Sequence, residues 1–392
     1  MRSEFRNPLL SDLEGGLRRL ESRSQRRSLQ HVAGVNLCSN DYLGLSQREE
    51  LRAAILEAVR SAEHVGGTGS RLLSGHFAVW EELENEFAAF SGSDAALYFG
   101  SGYAANAGLL SSVLGKGDLV FSDELNHASI IDGIRLSGAR KEIYKHRDLN
   151  VLESALNAHA TESCRKIIVT ESVFSMDGDL AHVSAIVALA EKFGASVIVD
   201  EAHATAVHGP GGRGIVAACG LEERILATVH TCGKALASAG AFVCGSRVLK
   251  EHLINHARTF IFSTAMPPYF AAQIGAGLRL ASGMDSERRE LLEEARRFAR
   301  SLQDEGWDVS SGESQIVPCI VGSNDEALYA AEFLQGEGFA VRAIRPPTVP
   351  EGKARLRFSL TSLIGNGDLA RLRSSLNSWR TSKENHAAAV RA

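Results

Sequence analysis

Between about residues 46 and 285, short runs of β-branched and aromatic residues alternate with longer stretches whose apolar positions recur at helical spacing. That alternation predicts an α/β sheet with buried, mostly parallel strands. Core strands are expected at 96–99, 119–121, 167–170, 197–200 and 225–230, with helices in most of the gaps. Ser46-Gln47-Arg48-Glu49 has the form of a capping box opening a helix to about Ala62, and a helical stripe over 80–90 stops at Ser91-Gly92. Past Met284 the texture changes to a charged helix over 286–305. A strand at 315–321, a helix at 325–335, strands near 339–344 and 354–360, and a last helix over about 368–379 then form a smaller α+β domain. The final dozen residues read as a loose tail. The expected organisation is an amino-terminal arm (1–45), a large domain (46–285) and a small carboxy-terminal domain (286–392).

Ligands of open α/β sheets gather outside the carboxyl ends of strands. Each predicted strand is followed there by residues with chemical capacity: Gly100-Ser101-Gly102-Tyr103, Asp123 with His127, residues 171–177, Asp200 with His203, and Thr231 with Lys234. A pocket along that edge is the expectation.

Composition narrows the classes. An apolar fraction of 44% and a charged fraction of 23% belong to a globular chain, and 392 residues exceed one ordinary core. A net charge of -5 and a pI near 6.2 give no reason to expect nucleic-acid binding. Arg18, Arg19, Arg23, Arg26 and Arg27 are a local exception, read as a solvated helix face or as a contact for an acidic carrier protein. The six cysteines show neither C-x-x-C pairing nor metal-ligand spacing, so reduced thiols, a cytoplasmic location and no metal are expected. No apolar run has membrane-spanning length, and residues 1–20 lack the apolar centre of a signal peptide.

Asp200 and Lys234 carry the most chemistry. A carboxylate at a buried strand end needs a cationic partner, and an amine after the next strand is placed to hold a carbonyl cofactor. A lysine and a buried acid are what pyridoxal 5'-phosphate requires: the lysine as its covalent attachment, the acid to keep its ring nitrogen protonated. The bland alternative makes Asp200 a helix cap and Lys234 a surface residue. Gly100-Ser101-Gly102-Tyr103-Ala104-Ala105 also fits the dinucleotide-binding pattern, with Asp123 as its acid, so a dehydrogenase is the rival. Glycines before a helix N-terminus say phosphate, not which cofactor. His127 is either a loop histidine or a residue stacked on a pyridine face. His203 is either an unliganded helix residue or a donor to a phenolic oxygen.

Residues 39–45 (SNDYLGL), 66–75 (GGTGSRLLSG), 170–179 (TESVFSMDGD), 199–203 (VDEAH), 208–214 (HGPGGRG), 231–234 (TCGK), 263–268 (STAMPP) and 344–350 (IRPPTVP) together resemble the α-oxoamine synthase family, over about residues 10–380. The resemblance implies a fold-type I pyridoxal-phosphate-dependent transferase, a homodimer with active sites at the subunit interface. It implies Lys234 as the Schiff-base lysine, Asp200 as the ring-nitrogen partner, His127 as the stacking residue and His203 as donor to the ring oxygen. Gly102, Tyr103 and Thr231 serve the phosphate, Ser175 lies near the ring, and Ser263 and Thr264 reach the cofactor of the neighbouring subunit. Arg357 holds the amino-acid carboxylate, with Arg355 as the alternative and one of the two expected to face the site. Asn40, Arg23 and Thr348 match substrate-contacting positions, Arg26 and Arg27 being alternatives to Arg23.

The implied reaction is decarboxylative condensation of L-alanine with a pimeloyl thioester of acyl carrier protein or coenzyme A. Glycine acetyltransferase, aminolevulinate synthase and serine palmitoyltransferase activities, and a non-catalytic cofactor-binding module, are the alternatives.

Overall fold

The apolar runs between residues 95 and 245 join into one seven-stranded sheet in the computed structural model, which describes residues 7–310 and 312–391. In chain order its strands are β1 (Ala95–Phe99), β2 (Leu119–Asp123), β3 (Arg140–Tyr144), β4 (Lys166–Glu171), β5 (Ala195–Asp200), β6 (Ala227–Thr231) and β7 (Ala241–Gly245). Their spatial order is β1-β7-β6-β5-β4-β2-β3. Only β7 runs antiparallel to its neighbours; the remaining pairings are parallel.

Alternating side chains supply two apolar faces. Leu97, Phe99, Val120, Val169, Ile198 and Val229 pack on one side against helices Gly102–Val113, Ala128–Ser137 and Arg247–His256. Phe121, Ile168, Val197 and Val199 pack on the other against Leu149–Ala158 and Val183–Phe193. Strands covered on both faces carry apolar residues at consecutive positions in their centres, which is why they show as short unbroken runs. Register places Glu171 opposite Asp200, and Asp200 opposite Val229. Two acids therefore end adjacent strands side by side.

The five expected strands are present. The capping box is not. Helix Glu49–Ser61 starts after Arg48 with no side-chain cap, while Ser46 belongs to a preceding turn, Leu45–Gln47. Asp41 accounts for the difference, its carboxylate accepting from the backbone N–H of Leu45 at 2.9 Å and of Ser46 at 3.0 Å. With the turn capped by Asp41, the helix begins one turn later.

The chain divides into two compact units. One holds Asn40–Glu293 and Thr361–Leu363, with the seven-stranded sheet. The other holds the described part of Met1–Ser39 with Glu294–Leu360 and Ile364–Ala392. Its antiparallel sheet has the order Ala343–Ile344, Ala354–Ser359, Ile316–Gly322, Asp308–Val309. The arm belongs to this unit by hydrogen bonding: Val35–Asn36 pairs in parallel with Phe339–Ala340, and Leu37 accepts from the Ser359 N–H at 2.9 Å. The expected strand over 339–344 is two short pairings with different partners. The final helix, Asn366–Arg391, continues beyond Trp379 through the segment read as a tail. Among the described residues no helix is long and apolar enough to cross a membrane, and no group of three or more His, Cys, Asp or Glu side chains is arranged to hold a metal ion.

Candidate active site

Asp200 ends β5 and is 4% exposed. Its Oδ1 accepts from the Ala202 N–H at 2.8 Å and its Oδ2 from Asn106 Nδ2 at 2.6 Å. Asn106, on helix Gly102–Val113, also donates to Ser129 Oγ at 3.0 Å. Ser129 in turn meets His127, whose Nδ1 accepts from the Ser129 N–H at 3.2 Å and lies 2.8 Å from Ser129 Oγ. One polar chain thus joins the acid at the end of β5 to the imidazole that caps helix Ala128–Ser137. Because Nδ1 accepts, a neutral His127 carries its proton on Nε2. Burial holds His127 below the usual histidine range against the opposing charge of Asp200, and the Lys234 ammonium pushes in the same direction as burial. A neutral, oriented ring results.

Lys234 follows β6 in a turn closed by backbone bonds from Ala237 N–H to Lys234 O and from Ser238 N–H to Cys232 O, each 2.9 Å. His203 is 5% exposed, and its Nδ1 lies 2.7 Å from the hydroxyl of fully buried Tyr42. That hydroxyl is also 3.0 Å from Asn40 Oδ1. Tyr42 and Asn106 are site residues that sequence reasoning missed. Tyr42 sits inside the quoted SNDYLGL block, but nothing local ties it to a residue 161 positions away. Glu201, beside Asp200, is instead structural: it accepts from Ser172 Oγ and from the N–H groups of Ile215 and Val216, anchoring the HGPGGRG segment.

Gly102 and Thr231 form a close contact. A Cβ on Gly102 would stand 2.7 Å from Thr231 Cγ2. Gly102 and Tyr103 open a twelve-residue helix whose cap, Ser101 Oγ, accepts from Ala104 N–H, so the first turn presents backbone donors and the positive dipole end. G102A is expected to weaken phosphate-ester cofactor affinity by about tenfold through overpacking of about 1.4 kcal/mol. The double variant G102A/T231S, lacking the opposing methyl, should recover most of it, as measured by equilibrium titration of cofactor-free protein. Tyr103 stands edge-on to His127 at 6.4 Å and its hydroxyl donates to Asp132. Ser175 lies in a turn closed by bonds from Phe174 N–H to Asp179 O and from Gly178 N–H to Phe174 O.

Glu171 is a further acid, 3% exposed, with Oε1 lacking any hydrogen-bond partner. Burial and the neighbouring Asp200 charge push it up to about 8, against Lys234 and a backbone hydrogen bond at His127. The folded chain therefore holds a proton that the unfolded chain releases near 4.5. This contribution to stability is complete below about 4.5 and is lost as pH rises through about 8. E171Q is expected to flatten that fall, read as thermal midpoint of the cofactor-free protein against pH.

Ser263 and Thr264 are exposed; Thr264 bridges to Ser70, and Ala265 N–H donates to Gly69 O at 2.9 Å. In the other unit, Thr348 Oγ1 accepts from Arg27 at 3.0 Å, whereas Arg23 caps helix Pro8–Ser22 and its carbonyl accepts from Asn324. Arg27, not Arg23, is thus the arginine beside Thr348. Arg355 and Arg357 are both buried. Two positions apart, they share a strand face, so pleating does not choose between them. Arg357 donates to Ser359 Oγ at 2.6 Å and Arg355 to Lys353 O at 3.1 Å.

Residues 32–376 match the family model of aminotransferase class I and II. The chain belongs to that family. It is 44% identical to 8-amino-7-oxononanoate synthase of Geobacter sulfurreducens, over 92% of this chain and 95% of that one. Among solved structures, a serine palmitoyltransferase variant from S. paucimobilis with bound PLP and myriocin superposes with a TM-score of 0.87 at 28% identity, covering 96% of this chain and 100% of that one. 8-Amino-7-oxononanoate synthase from Francisella tularensis gives 0.76 at 29% identity, covering 90% and 99%. The dinucleotide alternative falls with the family and with the topology. β1, which leads into Gly100-Ser101-Gly102, lies at the sheet edge beside antiparallel β7, not at a central switch point between parallel strands.

The residues fit a flat cationic ring bearing a phosphate. Asp200 is a buried acid at a strand end, Glu171 Oε1 beside it is unpartnered, and the Gly102–Thr231 contact lies at a helix N-terminus.

Proposed function

We propose that this chain is a pyridoxal-phosphate-dependent 8-amino-7-oxononanoate synthase, condensing L-alanine with a pimeloyl thioester and releasing carbon dioxide and the thiol carrier. The observation that carries the reading is Asp200 and Lys234 at successive strand ends, in a chain 44% identical to a curated synthase of that name. The higher TM-score to serine palmitoyltransferase does not favour that activity. Backbone superposition reports the shared fold, whereas identity over the whole length reports the side chains that choose substrate.

Bound pyridoxal 5'-phosphate supplies a covalent hold on an amine and a sink for an electron pair. Lys234 would hold it covalently, and its free amine would take the substrate's α-proton. Asp200 sets a negative charge where a pyridinium is to be stabilised, and Asn106 and the Ala202 N–H fix its oxygens. His127 offers a neutral ring face. Tyr42, in contact with its Nδ1, orients His203 toward a phenolic oxygen. Gly102, Tyr103 and Thr231 receive the phosphate, and Ser175 borders the ring. Arg357 holds the carboxylate that is lost, through paired guanidinium N–H groups. Thr348, Asn40 and an amino-terminal arginine, Arg23 or its alternative Arg27 that donates to Thr348, bound the substrate.

The working form is a homodimer in the cytoplasm. Exposed Leu72, Leu73 and Phe262 flank the segments that carry Ser70 and Ser263, and so support a partner copy to which Ser263 and Thr264 lend their hydroxyls. The six unpaired cysteines suit a reducing compartment. The test is product mass with L-alanine, glycine or serine offered against pimeloyl, acetyl, succinyl and palmitoyl thioesters. 8-Amino-7-oxononanoate from L-alanine and the pimeloyl donor is expected. Turnover restricted to any other pair would overturn the assignment.

A further inference from the structure

His146, two residues beyond β3, lies between two aspartates from different loops. Its Nδ1 is 2.9 Å from Asp123 Oδ1 and its Nε2 is 2.9 Å from Asp179 Oδ2. Asp123 is buried and Asp179 partly so, their side chains 2% and 12% exposed. Asp123 ends β2, four residues before His127, and also accepts from the N–H groups of Leu125 and Arg147. Asp179 closes the turn that carries Ser175, its backbone carbonyl accepting from the Phe174 N–H. Phe174 packs edge-on against the His146 ring at 4.4 Å.

We propose that His146 is a positioning residue: it ties the loop ending in His127 to the turn bearing Ser175, and so sets the gap those side chains leave for a flat ring. The inference rests on the cofactor site proposed above and adds a residue that touches neither cofactor nor substrate.

Carboxylates only accept, so contacts of hydrogen-bond length at both ring nitrogens require two N–H donors. A neutral imidazole has one. The geometry thus calls for an imidazolium, and the charges facing it agree: Asp123 and Glu124 from the end of β2 and Asp179 from the turn, opposed by Arg147, which itself donates to Asp179 at 3.1 Å. Against the cost of burial, the two aspartates raise His146 to about 10. Its contribution to stability is complete below about 6.5 and is lost as pH rises through about 10. The clamp is closed throughout the neutral range.

Two measurements test this. In the cofactor-free protein, nitrogen NMR of the histidine rings should show His146 doubly protonated from pH 6 to about 9; titration near the ordinary histidine value would overturn the proposal. H146F keeps a ring against Phe174 but loses both donors. Compared with L253A, which opens the core on the opposite sheet face, H146F should slow exchange of the L-alanine α-proton by about 10- to 100-fold and alter the visible circular dichroism of bound cofactor. Equal behaviour of the two variants at matched thermal stability would overturn it. If H146F does not fold, the NMR titration decides alone. A protein that binds no cofactor yet shows doubly protonated His146 would overturn the cofactor site while leaving the clamp's geometry intact.

Discussion

Replacing Lys234 with alanine is expected to reduce turnover by at least about 10³-fold while leaving the fold in place. The fold survives because the turn carrying Lys234 is held by backbone: Cys232 N–H to Gly240 O, Ala237 N–H to Lys234 O and Ser238 N–H to Cys232 O, each 2.9 Å, with Gln273 Nε2 donating to Ala237 O at 2.7 Å. The chemistry does not survive, since one amine serves two tasks, covalent retention of the cofactor and transfer of the α-proton. Borohydride reduction followed by mass measurement should add the cofactor's mass to the wild-type chain and nothing to K234A. Activity within tenfold of wild type, or covalent cofactor in the variant, would remove Lys234 from the mechanism. An electrostatic signature accompanies the loss. Lys234 lowers both His127 and Glu171, so K234A should raise both, most simply seen as a shift in the pH dependence of cofactor-free stability.

The parts of this site readable from sequence are those with local causes. β4 and β5 have apolar centres, 167–169 and 197–199, because helices cover both faces, and a chemically capable residue after each such run marks the carboxyl edge. β3 was missed because it is the sheet's edge strand, with Arg140, Lys141 and Glu142 charged and exposed, Ile143 exposed, and only Tyr144 of the strand buried. β7 was missed because five residues between Gly240 and Ser246 carry no periodicity beyond a short apolar run. The failed capping box has a similar origin: the spacing of Ser46 and Glu49 was right, but the Asp41 carboxylate already takes the Ser46 N–H that the Glu49 side chain would have satisfied.

The supporting residues were illegible for a different reason. Tyr42 meets His203, Asn106 meets Asp200, and His146 bridges Asp123 and Asp179, each across a sequence gap that no pattern spans. Lys234 and Asp200 announce themselves by chemistry and position on strands. The groups that orient them are ordinary polar residues until the fold brings them together.

Asp200 gives the second large effect. D200N should retain cofactor yet slow exchange of the L-alanine α-proton by about 10³-fold, because a neutral amide no longer stabilises the positive ring nitrogen on which the electron sink depends. The substitution also disturbs a hydrogen bond. Asp200 Oδ2 accepts from Asn106 Nδ2 at 2.6 Å, and an amide there presents either a second donor or a rotated group that gives up the Ala202 N–H. Part of any loss is therefore attributable to the chain through Ser129 to His127. The double variant D200N/N106D separates the two effects, since exchanging acid and amide restores donor against acceptor across the same contact while leaving no carboxylate at position 200. Stability lost in D200N should return in the double variant, whereas α-proton exchange should not. Removing the Asp200 charge also takes away the second cause that raises Glu171, so the fall of cofactor-free stability toward pH 8 should be smaller in D200N. Exchange at the wild-type rate in D200N, with cofactor bound, would show that the charge at the end of β5 is not what drives the reaction.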